Sequence, residues 1–83
     1  MSREEICKEL AEIIGTDLGI SADTIFESSK LMEELGASSF DIMILLPRIE
    51  ETFKIEFSVR ALREMITVGD FEIYLRNSVD DII

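Results

Sequence analysis

The chain has 83 residues, of which 18 are acidic and 8 basic, with no histidine, no tryptophan and one cysteine. This length suits one small domain. The lack of histidine excludes the usual zinc sites and the usual Ser-His or Cys-His nucleophile pairs. The net charge of -10 repels phosphates and argues against nucleic-acid binding. The hydrophobic fraction of 47% is too high for a disordered chain.

The sequence also carries indications of cellular setting. A lone cysteine, Cys7, cannot form an internal disulfide and favours a reducing compartment. The longest apolar run, residues 42–47, is far shorter than the roughly 20 residues that span a bilayer. The N-terminus lacks the basic and apolar regions of a signal peptide. We therefore predict a cytoplasmic protein without membrane contact, and we expect a monomer.

The first predicted element is an amphipathic helix over residues 2–15, where apolar residues recur at helical spacing. Ser2 and Glu5 form a capping-box pattern at its start, and two glycines near its far end predict termination there. Residues 20–37 show no sustained period. We predict a long loop there, held to the core by a few apolar side chains, and such loops are usually functional or disordered.

A second helix is predicted from about Ser38 to Lys54, with Ser38 and Asp41 as its cap. Pro47 lies inside this helix and predicts a bend that is convex toward solvent. An apolar stripe that continues across the proline should face the core. Its members are Ile42, Leu45, Leu46, Ile49 and Phe53.

Two further helices complete the chain. A short one is predicted over Ser58–Glu64, with Val59 and Leu62 facing inward. The last is opened by a Thr67–Asp70 cap and runs to about Asn77, with residues 78–83 frayed. Residues 54–57 alternate like a strand but have no partner. The predicted fold is all-α, a small four-helix bundle with three main helices, a short third helix and a long loop between helices 1 and 2.

The segment 34–41, sequence ELGASSFD, contains the strongest local signal for chemistry. It delivers a serine to the first turn of a helix, where backbone N–H groups are unpaired and the helix dipole is positive. A phosphate ester on that serine would be well placed. The simpler alternative, more common for such a pair, is that Ser38 and Ser39 only cap the helix.

The second helix also carries apolar side chains off its core stripe, rimmed by charge. Such a patch often marks a partner surface, although packing beneath the loop is an equal alternative. The candidate docking residues are Phe40, Asp41, Met43, Ile44, Pro47, Arg48 and Glu51.

Three segments in register resemble the acyl carrier protein family of fatty-acid and polyketide synthesis. Leu35–Asp41 is similar to its serine motif after a leucine-glycine turn. Residues 49–57 resemble the acidic stretch that closes its second helix, and Met65–Asp70 resembles the opening of its last helix. The resemblance covers roughly residues 3–77, so the whole chain, 1–83, is identified as one acyl-carrier domain.

The resemblance implies a carrier and not an enzyme. A phosphopantetheinyl transferase would attach 4′-phosphopantetheine from coenzyme A to Ser39. The thiol of this arm would hold acyl groups as thioesters for acyl-transferring or synthase enzymes. The family can also shelter an acyl chain between its helices, although each candidate residue could equally be ordinary core. The candidate cavity residues are Ile42, Leu46, Phe57, Leu62, Ile66 and Val68.

The chain departs from the family where Ser38 replaces the usual aspartate and where Arg60 and Arg63 make the third helix less acidic. These departures favour a specialised fatty-acid, lipid or polyketide pathway. Alternatives are modification of Ser38, an unmodified interaction module, a peptidyl or aminoacyl carrier, and weak calcium binding. The calcium alternative would use Glu33, Glu34 and Asp41.

Overall fold

The computed structural model describes residues 2–82 and confirms an all-α fold with three long helices and one short one. The helices are α1 (Arg3–Leu18), α2 (Ser39–Phe53), α3 (Val59–Glu64) and α4 (Val68–Ile82), and a 3₁₀ turn spans Ala22–Thr24. In this part of the chain, β pairing is limited to one isolated bridge between Lys30 and Thr67. None of the helices formed here has the length and apolar character needed to cross a bilayer.

The predicted capping box starts α1. The Ser2 hydroxyl accepts a hydrogen bond from Glu5 N at 3.2 Å, and the Glu5 carboxylate accepts one from Ser2 N at 3.3 Å. Gly19 ends the helix in the left-handed region, with φ of 70°. Gly15 does not end it, because it lies within α1 close to the following loop. A Cβ at Gly15 would come 2.7 Å from Ile20 O, so only glycine permits this approach.

The core is formed where α1 packs against both α2 and α4. Within α2, Leu45, Ile49 and Phe53 are buried, whereas Ile42 and Leu46 are half-buried. The predicted stripe is therefore confirmed, with its N-terminal part nearer the surface. The buried apolar residues are Ile6, Leu10, Ile14, Ile25, Leu31, Ala37, Leu45, Ile49, Phe53, Val68, Phe71 and Leu75.

Helix α2 continues across Pro47, whose ring is exposed on the surface. Continuity of the helix is thus confirmed, and the bend remains a prediction. The helix ends at Lys54, which has φ of 57° and donates its N–H to Glu50 O. A non-glycine residue in the left-handed region is uncommon, and this conformation of Lys54 terminates α2.

The prediction that Val59 faces inward is wrong, because this side chain is 70% exposed. Ser58 caps α3, so Val59 is the first residue of the helix. A helix of only six residues has few positions that can face the core. Leu62, the other residue of this helix that was predicted to face inward, is half-buried. The prediction that residues 78–83 are frayed is also wrong for residues 78–82, because α4 continues to Ile82. No glycine or proline interrupts residues 78–82, and Ile83 lies outside the described residues.

The long loop is attached to the α3–α4 connection and to the start of α4 by three backbone hydrogen bonds. Leu31 N donates to Ile66 O at 3.1 Å, Val68 N to Ser29 O at 3.1 Å, and Gly69 N to Glu27 O at 2.8 Å. A Cβ at Gly69 would lie 3.1 Å from Glu27 O, so glycine favours this close contact. The loop therefore holds the start of α2 in a defined position.

One buried charge was not anticipated from the sequence. Glu72 on α4 is only 1% exposed. Its carboxylate lies 3.5 Å from the guanidinium of Arg3 and 3.3 Å from that of Arg76. Arg3 also pairs with Glu27 in the loop. This cluster joins α1, the loop and α4. The two guanidinium groups give the Glu72 carboxylate the charged partners that a buried carboxylate needs.

Candidate functional site

The start of α2 is built by a capping box between Ser38 and Asp41. The Ser38 hydroxyl accepts a hydrogen bond from Asp41 N at 3.1 Å and donates one to Asp41 Oδ2 at 3.0 Å. Asp41 Oδ2 also accepts from Ser38 N at 2.9 Å. These hydrogen bonds from the backbone and hydroxyl of Ser38 lower the pKa of the Asp41 carboxyl, which is therefore ionised at neutral pH.

Ser39 differs from its neighbour although both serines are exposed. It is the first residue of α2, and its hydroxyl makes no hydrogen bond to the rest of residues 2–82. The N–H groups of Ser39 and Phe40 have no partner within the helix, because first-turn donors lack one by geometry. A phosphate ester on the Ser39 oxygen would therefore meet free donors and the positive helix end. The residues present fit such a group.

The turn before these serines is fixed by local geometry. Gly36 has φ of 76°, a left-handed conformation that glycine adopts without strain. Ala37 is buried, and its N–H donates to Leu31 O at 2.9 Å. Glu34 accepts a hydrogen bond from Lys30 N at 2.9 Å. The ELGASS segment thus enters α2 from an anchored loop.

A cavity of about 190 Å³ lies between the loop, α2 and the α3–α4 connection. Ile42, one helical turn after Ser39, and Ile66 line it, so the structure brings these two predicted residues together. The sequence interpretation missed Leu31, Met32 and Met65, which form the other apolar walls. Their cavity role has no periodic signal, because they lie in irregular segments.

The other four predicted cavity residues do not line this space. Val68 is fully within the core. Phe57 packs edge-on against Phe71 at a centroid distance of 5.6 Å and lies against Tyr74 at 5.1 Å. Leu46 and Leu62 are half-buried elsewhere. Val68, Phe57 and Leu46 belong to the core or pack against it, which is the alternative named for them.

The outer side of α2 carries the exposed apolar residues that the sequence predicted. Phe40 is 69% exposed, Met43 71% and Ile44 44%, and Pro47 is also exposed. They do not pack beneath the loop. We call Phe40, Met43, Ile44 and Pro47 the α2 apolar patch.

The charged members of the predicted docking set have different environments. Asp41 is half-buried and turned back on Ser38. Arg48 pairs with Asp17 of α1 at 3.2 Å, next to an open polar groove of about 340 Å³ between α1 and α2. Glu51 is exposed and lines the same groove. This groove is larger than the cavity near Ser39, but its charged walls do not suit an acyl chain.

The calcium alternative has little geometric support. Among the described residues no group of three or more acidic or cysteine side chains is arranged to hold a metal ion. Glu34 bonds to Lys30 N, Glu33 lies 3.4 Å from the Lys30 ammonium, and Asp41 caps α2.

The fold and the exposed serine have the form of a small helical carrier domain. The family described as "Phosphopantetheine attachment site" matches residues 8–75. The acyl carrier protein of Thermotoga maritima is 33% identical over 94% of this chain and 96% of its own length. That of Campylobacter hominis is 30% identical over 88% of this chain and 92% of its own.

A solved structure of the acyl carrier protein from Enterococcus faecalis agrees with a TM-score of 0.74 and 29% identity, covering 90% of this chain and 95% of the other. The chain belongs to the acyl carrier protein family. Members of this family are carriers and not enzymes, and they bear covalently attached 4′-phosphopantetheine.

Proposed function

We propose that Ser39 is the residue that bears the 4′-phosphopantetheine arm. The observation that carries this assignment is the contrast between the two serines. The Ser38 hydroxyl is engaged twice with Asp41, whereas the Ser39 hydroxyl is exposed and unbonded within the described residues. Modification of Ser38 would disrupt the cap of α2, and modification of Ser39 would not.

The arm supplies a thiol that holds acyl groups as thioesters, and this chain has no comparable exposed thiol of its own. Burial, and to a smaller extent a hydrogen bond to the Glu27 carboxylate, raise the pKa of the Cys7 thiol to about 11. Cys7 is therefore a poor nucleophile at neutral pH. The residues at the start of α2 hold the attachment point and offer N–H groups to the phosphate.

The cavity near Ser39 would accommodate part of the acyl cargo. Ile42 lies one turn beyond Ser39, so a chain that folds back from the arm meets this wall first. Each sheltered methylene contributes about 0.8 kcal/mol. Ile66 is 56% exposed and would be covered when the cavity is filled.

The α2 apolar patch would be the docking face for enzymes that act on the arm. An exposed apolar surface beside the attachment residue is costly for a free protein in water and is covered when a partner binds. The patch, together with the departures at Ser38 and on α3, supports a dedicated fatty-acid, lipid or polyketide pathway. The lone Cys7 favours a reducing compartment such as the cytoplasm.

Intact-mass measurement tests the attachment. The protein is incubated with coenzyme A and a phosphopantetheinyl transferase, and Ser39→Ala is compared with Ser38→Ala. We expect one arm on the wild type and on Ser38→Ala, and none on Ser39→Ala. An arm that persists on Ser39→Ala would move the site. No arm on the wild type with any of several transferases would favour an unmodified interaction module.

A further inference from the structure

The segment 54–66, which contains α3, differs in charge from the rest of the protein. It holds three basic and two acidic residues, for a net charge of +1, whereas the remainder has five basic and sixteen acidic residues. The basic residues are Lys54, Arg60 and Arg63, and all three are exposed.

Among the side chains that the structure describes, these three also have no carboxylate partner. Within the described residues, Arg3, Lys30, Arg48 and Arg76 each lie within 4 Å of a carboxylate. Lys54, Arg60 and Arg63, and Lys8 on α1, make no such contact with any carboxylate that the structure describes. The molecule has a net charge of -10, yet three of the four basic side chains without an ion pair among the described residues lie in this short segment.

The arrangement on α3 forms one surface. Arg60 and Arg63 are three residues apart and Val59 and Arg63 four, so the three side chains are neighbours on the helix. Two like charges at this spacing repel each other, and a carboxylate docked between them would remove that repulsion. Val59 adds an apolar contact beside them, since it is 70% exposed.

The C-terminal end of α3 leads into the cavity near the attachment residue. Met65 and Ile66 follow directly after α3 and form a wall of the cavity whose other wall includes Ile42. Ile42 is one turn from Ser39. An enzyme that reaches Ser39 across the α2 apolar patch therefore lies within reach of α3.

Resting on the proposed function, we propose that enzymes acting on the Ser39 arm, beginning with the transferase that adds it, dock on α3 with an acidic surface that pairs with Arg60 and Arg63. The partner of this carrier thus presents carboxylates around an apolar centre. Charges at the rim of an interface act mainly on the association rate and on partner choice.

The test measures kcat/KM for arm addition by the phosphopantetheinyl transferase of the same organism, at about 0.02 M and about 0.3 M NaCl. We expect Arg60→Glu/Arg63→Glu to lower kcat/KM roughly tenfold at low salt and much less at high salt, as association rates do when rim charges change. Arg60→Lys/Arg63→Lys keeps the charge and should stay near wild type. Lys8→Glu is the control for charge reversal on another face. It reverses one basic side chain, which is half the charge change of the double variant, and should stay near wild type at both salt concentrations.

Unchanged or faster modification of Arg60→Glu/Arg63→Glu, with an unchanged melting temperature, would overturn the inference alone. Arg60→Gln/Arg63→Gln guards against a folding defect and should show an intermediate loss. Failure of every transferase to modify the wild type would refute the proposed function, and the inference with it, so the two failures are distinguishable.

Discussion

The two serines at the start of α2 should separate stability from modification. Ser38→Ala removes the hydroxyl that accepts from Asp41 N at 3.1 Å and donates to Asp41 Oδ2 at 3.0 Å. Ser39→Ala removes a hydroxyl without a partner in the described residues. Ser38→Ala should therefore lower the stability of the fold and still accept the arm. Ser39→Ala should keep the stability and lose the arm.

The magnitudes follow from the contacts. Loss of an N-cap serine costs about 1 kcal/mol, and in a domain of this size that corresponds to a fall in melting temperature of roughly 4–8 °C. The exposed Ser39 position should change the free energy of unfolding by less than about 0.5 kcal/mol. Ser38→Asn is the control, because asparagine caps helices about as well as serine.

Thermal melts followed by circular dichroism, combined with intact mass after transferase treatment, measure both effects on the same samples. A Ser38→Ala variant that melts with the wild type while Ser39→Ala melts several degrees lower would refute the capping assignment. The distinction between the two hydroxyls would then be lost.

Three further predictions follow from other contacts. The pKa values of Asp41 and Asp70 lie below their ordinary 3.8 in the folded protein, owing to backbone and hydroxyl donors. As pH falls, these carboxylates therefore bind protons in the unfolded chain before they do so in the folded protein, and the melting temperature should fall below about pH 4. The fall should be smaller in Asp41→Asn/Asp70→Asn. An equal fall in this variant would contradict the prediction. At pH 8, iodoacetamide should alkylate Cys7 about a hundredfold more slowly in folded than in urea-unfolded protein, because its pKa is raised from 9.0 to about 11; equal rates by intact mass would contradict that burial. Glu72→Gln should lower the free energy of unfolding by about 1–3 kcal/mol, because a buried amide N–H is left unpaired. Glu72→Met should lower it less, as measured by urea titration. A larger loss of free energy in the Met variant would contradict this.

Local signals in the sequence were sufficient for most of the helical architecture. The capping boxes at Ser2 and Ser38 and the apolar stripe of α2 involve residues three or four positions apart. Such short-range patterns can be recognised in the sequence alone. The same locality explains why Pro47 did not end α2. The apolar period continued across it, and tertiary packing of Leu45 and Ile49 outweighed the lost hydrogen bond.

Features that depend on distant segments were not predictable. The inward assignment of Val59 failed because a helix of one and a half turns has too few residues to define a face. The cavity walls from Met32 and Met65 meet Ile42 only in the folded chain. Burial of Glu72 likewise depends on Arg3, which is 69 residues earlier.

The candidate site lies between these two cases. The serine pair and its helix start were visible in the sequence, but the choice of Ser39 came from the family resemblance. The structure adds an independent physical basis for that choice, which is the engagement of Ser38 with Asp41. The exposed apolar patch on α2 could not be distinguished from loop packing until the loop was seen bonded to the α3–α4 connection.

The mass of the protein isolated from its own organism, with fragmentation to locate any added group, tests the central claim most directly. We predict a phosphopantetheine arm joined through a phosphodiester to Ser39, with acyl cargo on its thiol in part of the sample. An arm on Ser38, or a native protein without an arm, would contradict the account.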